Sequence, residues 1–196
     1  MCIIWLAGLQ GYVSDRLLKK LTQALANAAE ERGTDASGIA YVKNSKVTIF
    51  KRPKPAHKIR FNAPNGTRAV MGHTRMTTQG NEKFNYNNHP FYGHADVNFA
   101  FAHNGVLYND KNLRVEKHLP NTQIETDSYV AVQLLEQQGK LVLARSRAWQ
   151  NPCRAVSALP LWTKTTRSTS SRAAIPCVCS TLQSWDFTST PQRKAF

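Results

Sequence analysis

Five short apolar runs of β type, at 2–8, 38–42, 46–50, 68–73 and 97–103, dominate the first half of the chain. Only one clear helical period interrupts them. Ser14 is placed to cap a helix running to about Arg32, on which Leu17, Leu21, Leu25 and Ala28 recur along one face. Gly33 then offers a left-handed stop. Runs 38–42 and 46–50, joined by Lys43-Asn44-Ser45, read as a hairpin, and Pro53 and Pro55 interrupt regular structure after it. Val97 to His103 ends in Asn104-Gly105, with Val106 to Tyr108 expected to return as a strand. A second helix, capped by Thr126 or Asp127, carries Val130, Val132, Leu134 and Leu135 and ends at Gly139. Strands that outnumber helices and do not alternate with them predict an α+β fold, not a doubly wound parallel sheet.

The loop GNEKFNYNNHPFYG (80–93) is polar, studded with aromatics and too long to be mere connection. Loops of that length inside a domain usually serve function. The apolar run Ile3 to Leu9 is far shorter than the roughly 20 residues of a membrane span, and no basic residues precede it as they would in a secretory signal. With 41% hydrophobic residues and a mean hydropathy of −0.44, the expectation is a soluble, cytoplasmic protein with reduced thiols. Cys2, Cys153, Cys177 and Cys179 match no zinc-binding spacing. The net charge of +14 suggests nucleic acid until its distribution is considered. Half of it falls after Gly139–Lys140, where 8 Lys and Arg face 1 Asp, and no basic run is interleaved with aromatics. Neither nucleic acid nor membrane is an expected partner.

Texture changes after residue 140. The segment 141–196 has scattered prolines, three of the four tryptophans and no sustained period. Disorder is one reading. The other is translation out of frame: taking the last base of one codon with the first two of the next, Trp185 followed by Asp186 forces glycine. The surrounding residues, 184–191, then admit Leu-Gly-Leu-Tyr-Ile-Tyr-Ala, a strand-like run. The domain is therefore expected over 2–140, followed by an aberrant tail over 141–196.

The chain begins Met1-Cys2. A free thiol has a pKa of about 8.5, so only a few per cent is thiolate at neutral pH. Removal of Met1 would give Cys2 an α-amine with a pKa of about 7.7–8.0, a base able to take the thiol proton directly or through one water. Alone, Met-Cys reads first as a chance pairing with a packed cysteine.

Four further clusters follow in order: RGTDASGIAY (32–41), GHTRMTTQG (72–80), FAHNGVLYN (101–109) and IETDSYV (124–130). Behind a Cys at position 2, they resemble the glutaminase domain of the class II glutamine amidotransferases. That N-terminal-nucleophile family includes amidophosphoribosyltransferase and glucosamine-6-phosphate synthase. The resemblance covers about residues 2 to 138 and implies a four-layer αββα sandwich, incomplete at its C-terminal end if the tail replaces the closing strands. Cys2 would be the nucleophile and its amine the general base. Asn104 and the N–H of Gly105 would form the oxyanion hole, although Asn-Gly is also a tight-hairpin signal. Arg75 would pair with the α-carboxylate of glutamine, although a surface or structural ion pair would use it too. Asp127 would hold the α-ammonium, or cap its helix. Thr77 and Thr78 would line the substrate site. Arg32, Gly33 and Gly38 look architectural, while His73, His89 and His103 read as core or loop histidines. The resemblance implies no cofactor and no metal.

The implied reaction is attack of the Cys2 thiolate on the side-chain amide of glutamine, loss of ammonia, and hydrolysis of the γ-glutamyl thioester to glutamate. Ammonia would pass to a separate synthase chain, or the protein would be a stand-alone glutaminase. Two positions depart from the family's habit: Ile3 stands where glycine often follows the nucleophile, and Met76 where synthases often carry tryptophan after the arginine. Two alternatives stand beside this reading: an N-terminal-Cys hydrolase of another amide, and an inactive, frameshifted remnant.

Overall fold

The computed structural model describes residues 3–8, 14–67, 69–139 and 158–162, with the backbone path alone at 3–8, 69 and 158–162. Its first sheet contains β1 (Ile3–Gly8), β2 (Ala36–Lys43), β3 (Lys46–Arg52) and β4 (Ala69–Arg75) in the order β1-β4-β2-β3, antiparallel throughout. The second contains β5 (Phe91–His94), β6 (Asn98–His103) and β7 (Ala158–Trp162), with β6 central. The helices are α1 (Asp15–Ala29), α2 (Asp110–Glu116) and α3 (Tyr129–Gln138).

Strand alternation turns these elements into four layers. On β2 and β4, Ile39 and Val70 pack with Leu18, Ala26 and Ala29 of α1, whereas Ala40 and Met71 face the other way, onto Ala100 and Ala102 of β6. On β6 the alternate residues Phe99 and Phe101 point outward, into a cluster with Phe91, Val130 and Leu135. A period of two thus sends one face of each sheet to a helix and the other to the partner sheet. Small alanines between the sheets let the backbones approach closely. The order is helix, sheet, sheet, helix.

The hairpin turn is as tight as a two-residue loop allows, with φ of 48° at Asn44 and 59° at Ser45, the positive pair of a type I′ turn. Ser14 caps α1, its Oγ accepting from the Leu17 N–H at 3.3 Å. Gly139 closes α3 in the left-handed region, φ 65°.

Three expectations need correction. The buried stripe of α1 is Leu18, Thr22, Ala26 and Ala29, one position round from the one expected, leaving Leu17 and Leu21 46% and 39% exposed. Residues 106–108 form no strand. With β5 and β7 already on either side of β6, there is no open edge for a returning strand, and the chain turns into α2. Gly33 is not left-handed: its φ is 177°, ordinary extended backbone.

What Gly33 supplies is proximity. A Cβ there would lie 2.3 Å from the carbonyl carbon of Arg75 and 2.5 Å from both its oxygen and the Met76 nitrogen. Backbone cannot yield as a side chain can. Gly33→Ala is therefore expected to destabilise the chain by about 1–3 kcal/mol, read as a lower denaturant midpoint with an unchanged slope in urea unfolding. An unchanged midpoint would contradict the packing.

Candidate functional site

Cys2 lies outside the described residues, as do Cys153, Cys177 and Cys179. The remaining candidates are carried on the ends of β4 and β6 and on the approach to α3.

Arg75 closes β4 and is 3% exposed. Its Nη1 donates to Asn88 Oδ1 at 2.6 Å, and its Nη2 donates to the carbonyl oxygens of Gln79 and Gly80 and, at 3.3 Å, to Thr126 Oγ1. The guanidinium thus sits inside its own loop and links that loop to the residue preceding Asp127. Neighbouring backbone fixes the loop from behind: Asp35 N–H donates to the Arg75 carbonyl at 3.1 Å, and Asp35 Oδ2 accepts from the Thr77 N–H at 2.7 Å. Thr77 Oγ1 is buried and has no partner among the described residues, while Thr78 is exposed.

A second cation stands close by. Lys51 Nζ donates to the Asn88 carbonyl at 2.5 Å and lies 4.9 Å from the centre of the Phe91 ring. Burial, and then the charge of Arg75, push its pKa down to about 8.

Asp127 is 1% exposed. Neither it nor Thr126 caps α3: Ser128 occupies that position, with no side-chain bond to the helix. Asp127 Oδ2 instead accepts from the Leu107 N–H at 2.5 Å, and Thr126 Oγ1 donates to the Asn87 carbonyl at 2.6 Å. Burial raises the Asp127 pKa, N–H donation from Leu107 and Ser128 opposes that, and the Asp110 charge raises it further. A buried carboxylate held this way would gain from an arriving cation. Asn104 and Gly105 follow β6 as a bend and are half-buried, three and two residues before Leu107.

Hydrogen bonds therefore join the segments that carry these residues: Arg75 reaches Thr126, next to Asp127, and Asp127 reaches Leu107, just after Asn104-Gly105, with Thr77 on the Arg75 loop. Sequence reasoning missed the amides that brace those segments. Asn88 receives Arg75, Asn87 binds both Glu125 and Thr126, and Gln79 donates to Asp110 Oδ2 and the Glu125 carbonyl, each at 3.0 Å. The density of Asn in 80–93 was the available signal. A cavity of about 640 Å³ opens beside Gln79, between α2 and residues 118–125, but none of the predicted site residues lines it. Among the described residues, no group of three or more His, Cys, Asp or Glu is arranged to hold a metal ion. None of the helices there is long and apolar enough to cross a membrane.

Two facing antiparallel sheets between helices, with the predicted groups gathered at strand ends, define the N-terminal-nucleophile hydrolase sandwich. Solved structures agree on the fold. A structure titled as the allosteric regulatory enzyme of purine biosynthesis superposes with a TM-score of 0.63 at 18% identity, over 83% of this chain and 36% of that one. Glutamine phosphoribosylpyrophosphate amidotransferase from B. subtilis gives 0.60 at 18%, over 83% and 35%. The family model of the class-II glutamine amidotransferases matches residues 17–157. The chain belongs to that family, which is one of enzymes.

Among relatives, glutamine–fructose-6-phosphate aminotransferase (isomerizing) of Staphylococcus aureus is 34% identical over 140 residues, 67% of this chain and 22% of that protein. The enzyme of the same name from Bacillus cereus is 30% identical over 149 residues, 74% and 24%. The chain thus spans less than a quarter of the length of these relatives.

Proposed function

We propose that this chain hydrolyses the side-chain amide of glutamine to glutamate and ammonia, with Cys2 as nucleophile and its α-amine, freed by removal of Met1, as general base. The observation that carries the reading is the linkage of three motif segments. The Leu107 N–H closes on Asp127 at 2.5 Å, just after Asn104-Gly105, and Arg75 reaches Thr126 at 3.3 Å. In addition, β1 runs antiparallel to β4 with Ile3 opposite Thr74, so the strand that follows Cys2 starts beside the end of β4 that carries Arg75.

The steps follow from the groups. The amine takes the thiol proton, and the thiolate attacks the amide carbon of glutamine. The Asn104 side chain and Gly105 N–H stabilise the oxyanion. The protonated amine gives its proton to the departing nitrogen, and water attacks the γ-glutamyl thioester, releasing glutamate and the thiol. Arg75 takes the α-carboxylate and Asp127 the α-ammonium, a pair suited to a zwitterionic amino acid rather than to a simple amide. Thr77 and Thr78 border the substrate. Ammonia goes to an acceptor on a separate chain, or to solvent.

The test is glutamate formation from glutamine by the purified chain, with its intact mass. Turnover by a protein lacking Met1 is expected. A cooperatively folded chain of that mass that forms no glutamate would overturn the reading.

The texture of residues 141–196 favours a second reading, an inactive remnant whose tail is translated out of frame. Of that stretch the structure describes only β7, which pairs with β6, Phe99 opposite Trp162. Re-sequencing the gene across the codons for 139–143 decides the frame.

A further inference from the structure

Buried imidazoles occur where the site segments meet. His73 of β4 is 1% exposed, His103 at the end of β6 is 2%, and His89 is 4%. The His73 and His89 rings lie 4.3 Å apart at 31°. His73 Nε2 lies 3.1 Å from the His103 carbonyl oxygen, and His103 Nδ1 lies 2.9 Å from Ser128 Oγ. A carbonyl can only accept, so the first contact requires the proton on His73 Nε2. His73 Nδ1 has no described partner.

We infer that His73 is a positioning residue for the oxyanion hole, its Nε2–H holding the carbonyl of His103 and so fixing the peptide plane that leads into Asn104.

The inference rests on the glutaminase reading above and deepens it. A carbonyl anchored across the gap between the two sheets removes rotation about the bonds flanking the 103–104 peptide. Asn104 and the Gly105 N–H are then presented in one orientation. On its other side, the His103 ring is tied to Ser128, the residue after Asp127. One chain of contacts, His73 to His103 to Ser128, thereby joins the strand carrying Arg75, the turn carrying the oxyanion donors and the segment carrying Asp127. Preorganised donors stabilise charge that develops only in the transition state, so slackness here lowers turnover more than substrate binding.

Both the neutral Nε2–H tautomer and the imidazolium carry the Nε2 proton, and the environment favours the neutral form. Burial pushes its pKa down to about 3, with the charges of Arg75 and His103 acting in the same direction and the bond to the His103 carbonyl opposing. Burial likewise lowers His103, to about 4, and His89, which His73 also disfavours as a cation. Around His73 the described titratable neighbours are thus the imidazoles of His89 and His103 and the guanidinium of Arg75. Burial disfavours the charged form of all three rings, and the His103 carbonyl selects the Nε2–H tautomer of His73.

Two near-isosteric variants separate positioning from packing. His73→Gln can place an amide N–H near the Nε2 position, whereas His73→Asn places its amide near Nδ1. The Gln variant should retain kcat within about fivefold. The Asn variant should lose about 10–100-fold in kcat, with KM for glutamine within about twofold. Equal losses in both, or a loss carried by KM, would overturn the inference. No glutamate from the unaltered chain would sink the glutaminase reading itself, while an active unaltered chain matched by His73→Asn would sink only this one. Should both variants fail to fold, 15N NMR of the unaltered chain decides. A proton on His73 Nε2 from about pH 5 to about pH 9 is expected; a neutral ring carrying its proton on Nδ1 instead would overturn it.

Discussion

Replacing Cys2 by alanine is expected to lower glutamate formation by about 10⁴-fold or more. The size of the effect follows from the chemistry. Without the sulfur there is no acyl-enzyme, and the amine, oxyanion donors and substrate clamp have nothing to act with. Members of such a unit are not additive, so the variant should fall nearly as far as one lacking every catalytic group. Cys2→Ser keeps a nucleophilic atom, but a hydroxyl is far harder to ionise than a thiol, and most of the rate should still be lost. A glutamine analogue bearing an electrophilic ketone in place of its amide should add covalently to the unaltered chain and not to Cys2→Ala.

The pH profile supplies a second readout. The amine must be neutral to accept the thiol proton, so kcat/KM should rise as pH increases toward the amine pKa, about 7.7–8.0 when unperturbed, and then level. Undiminished glutamate formation by Cys2→Ala would remove the nucleophile and, with it, the reason for expecting Met1 to be absent.

Particular residues show how far the sequence could be read. Strands β2, β3, β4 and β6 were legible as short β-type apolar runs, and Asn44-Ser45 because a two-residue turn admits few residue types. The buried face of α1 was misjudged because Leu17 and Leu21 dominate any periodic pattern. The helix instead packs through Thr22, Ala26 and Ala29, whose small side chains bring it close to the sheet. Helix α2, Asp110–Glu116, gave no signal: its sequence DKNLRVE is nearly all polar, and of its apolar residues only Leu113 is buried. Context, rather than propensity, makes it helical. At the candidate site, Arg75, Asn104, Gly105 and Asp127 stand out in sequence as motif residues. The residues that hydrogen-bond to their segments, Asn88, Gln79, Asp35 and Ser128, do not, because a single contact with a group distant in sequence leaves no period.

Asp127→Asn should separate recognition from chemistry. The carboxylate is 1% exposed and carries the raised pKa of a buried acid, so a substrate ammonium beside it would meet a charge poorly compensated by its surroundings. A hydrogen bond to a charged group contributes about 1.5–3 kcal/mol, equivalent to about 10–150-fold in affinity. KM for glutamine should rise by that factor with kcat changed much less. Glutaric acid monoamide, which is glutamine without its α-ammonium, gives the control: the unaltered chain should prefer glutamine strongly, and Asp127→Asn should use both about equally. A preference that survives in the variant would remove Asp127 from ammonium recognition.

Stability should move in the opposite sense. A group whose folded pKa is raised contributes stability that is fully present below its unfolded pKa and lost as pH rises through the folded value. Asparagine keeps an acceptor for the Leu107 N–H but has no charge to acquire. The melting temperature of Asp127→Asn should therefore improve relative to that of the unaltered chain as pH rises above the ordinary aspartate value of about 4. A variant that binds glutamine worse yet gains in relative stability over that range would identify Asp127 as a group held at a cost to the fold for the sake of the substrate.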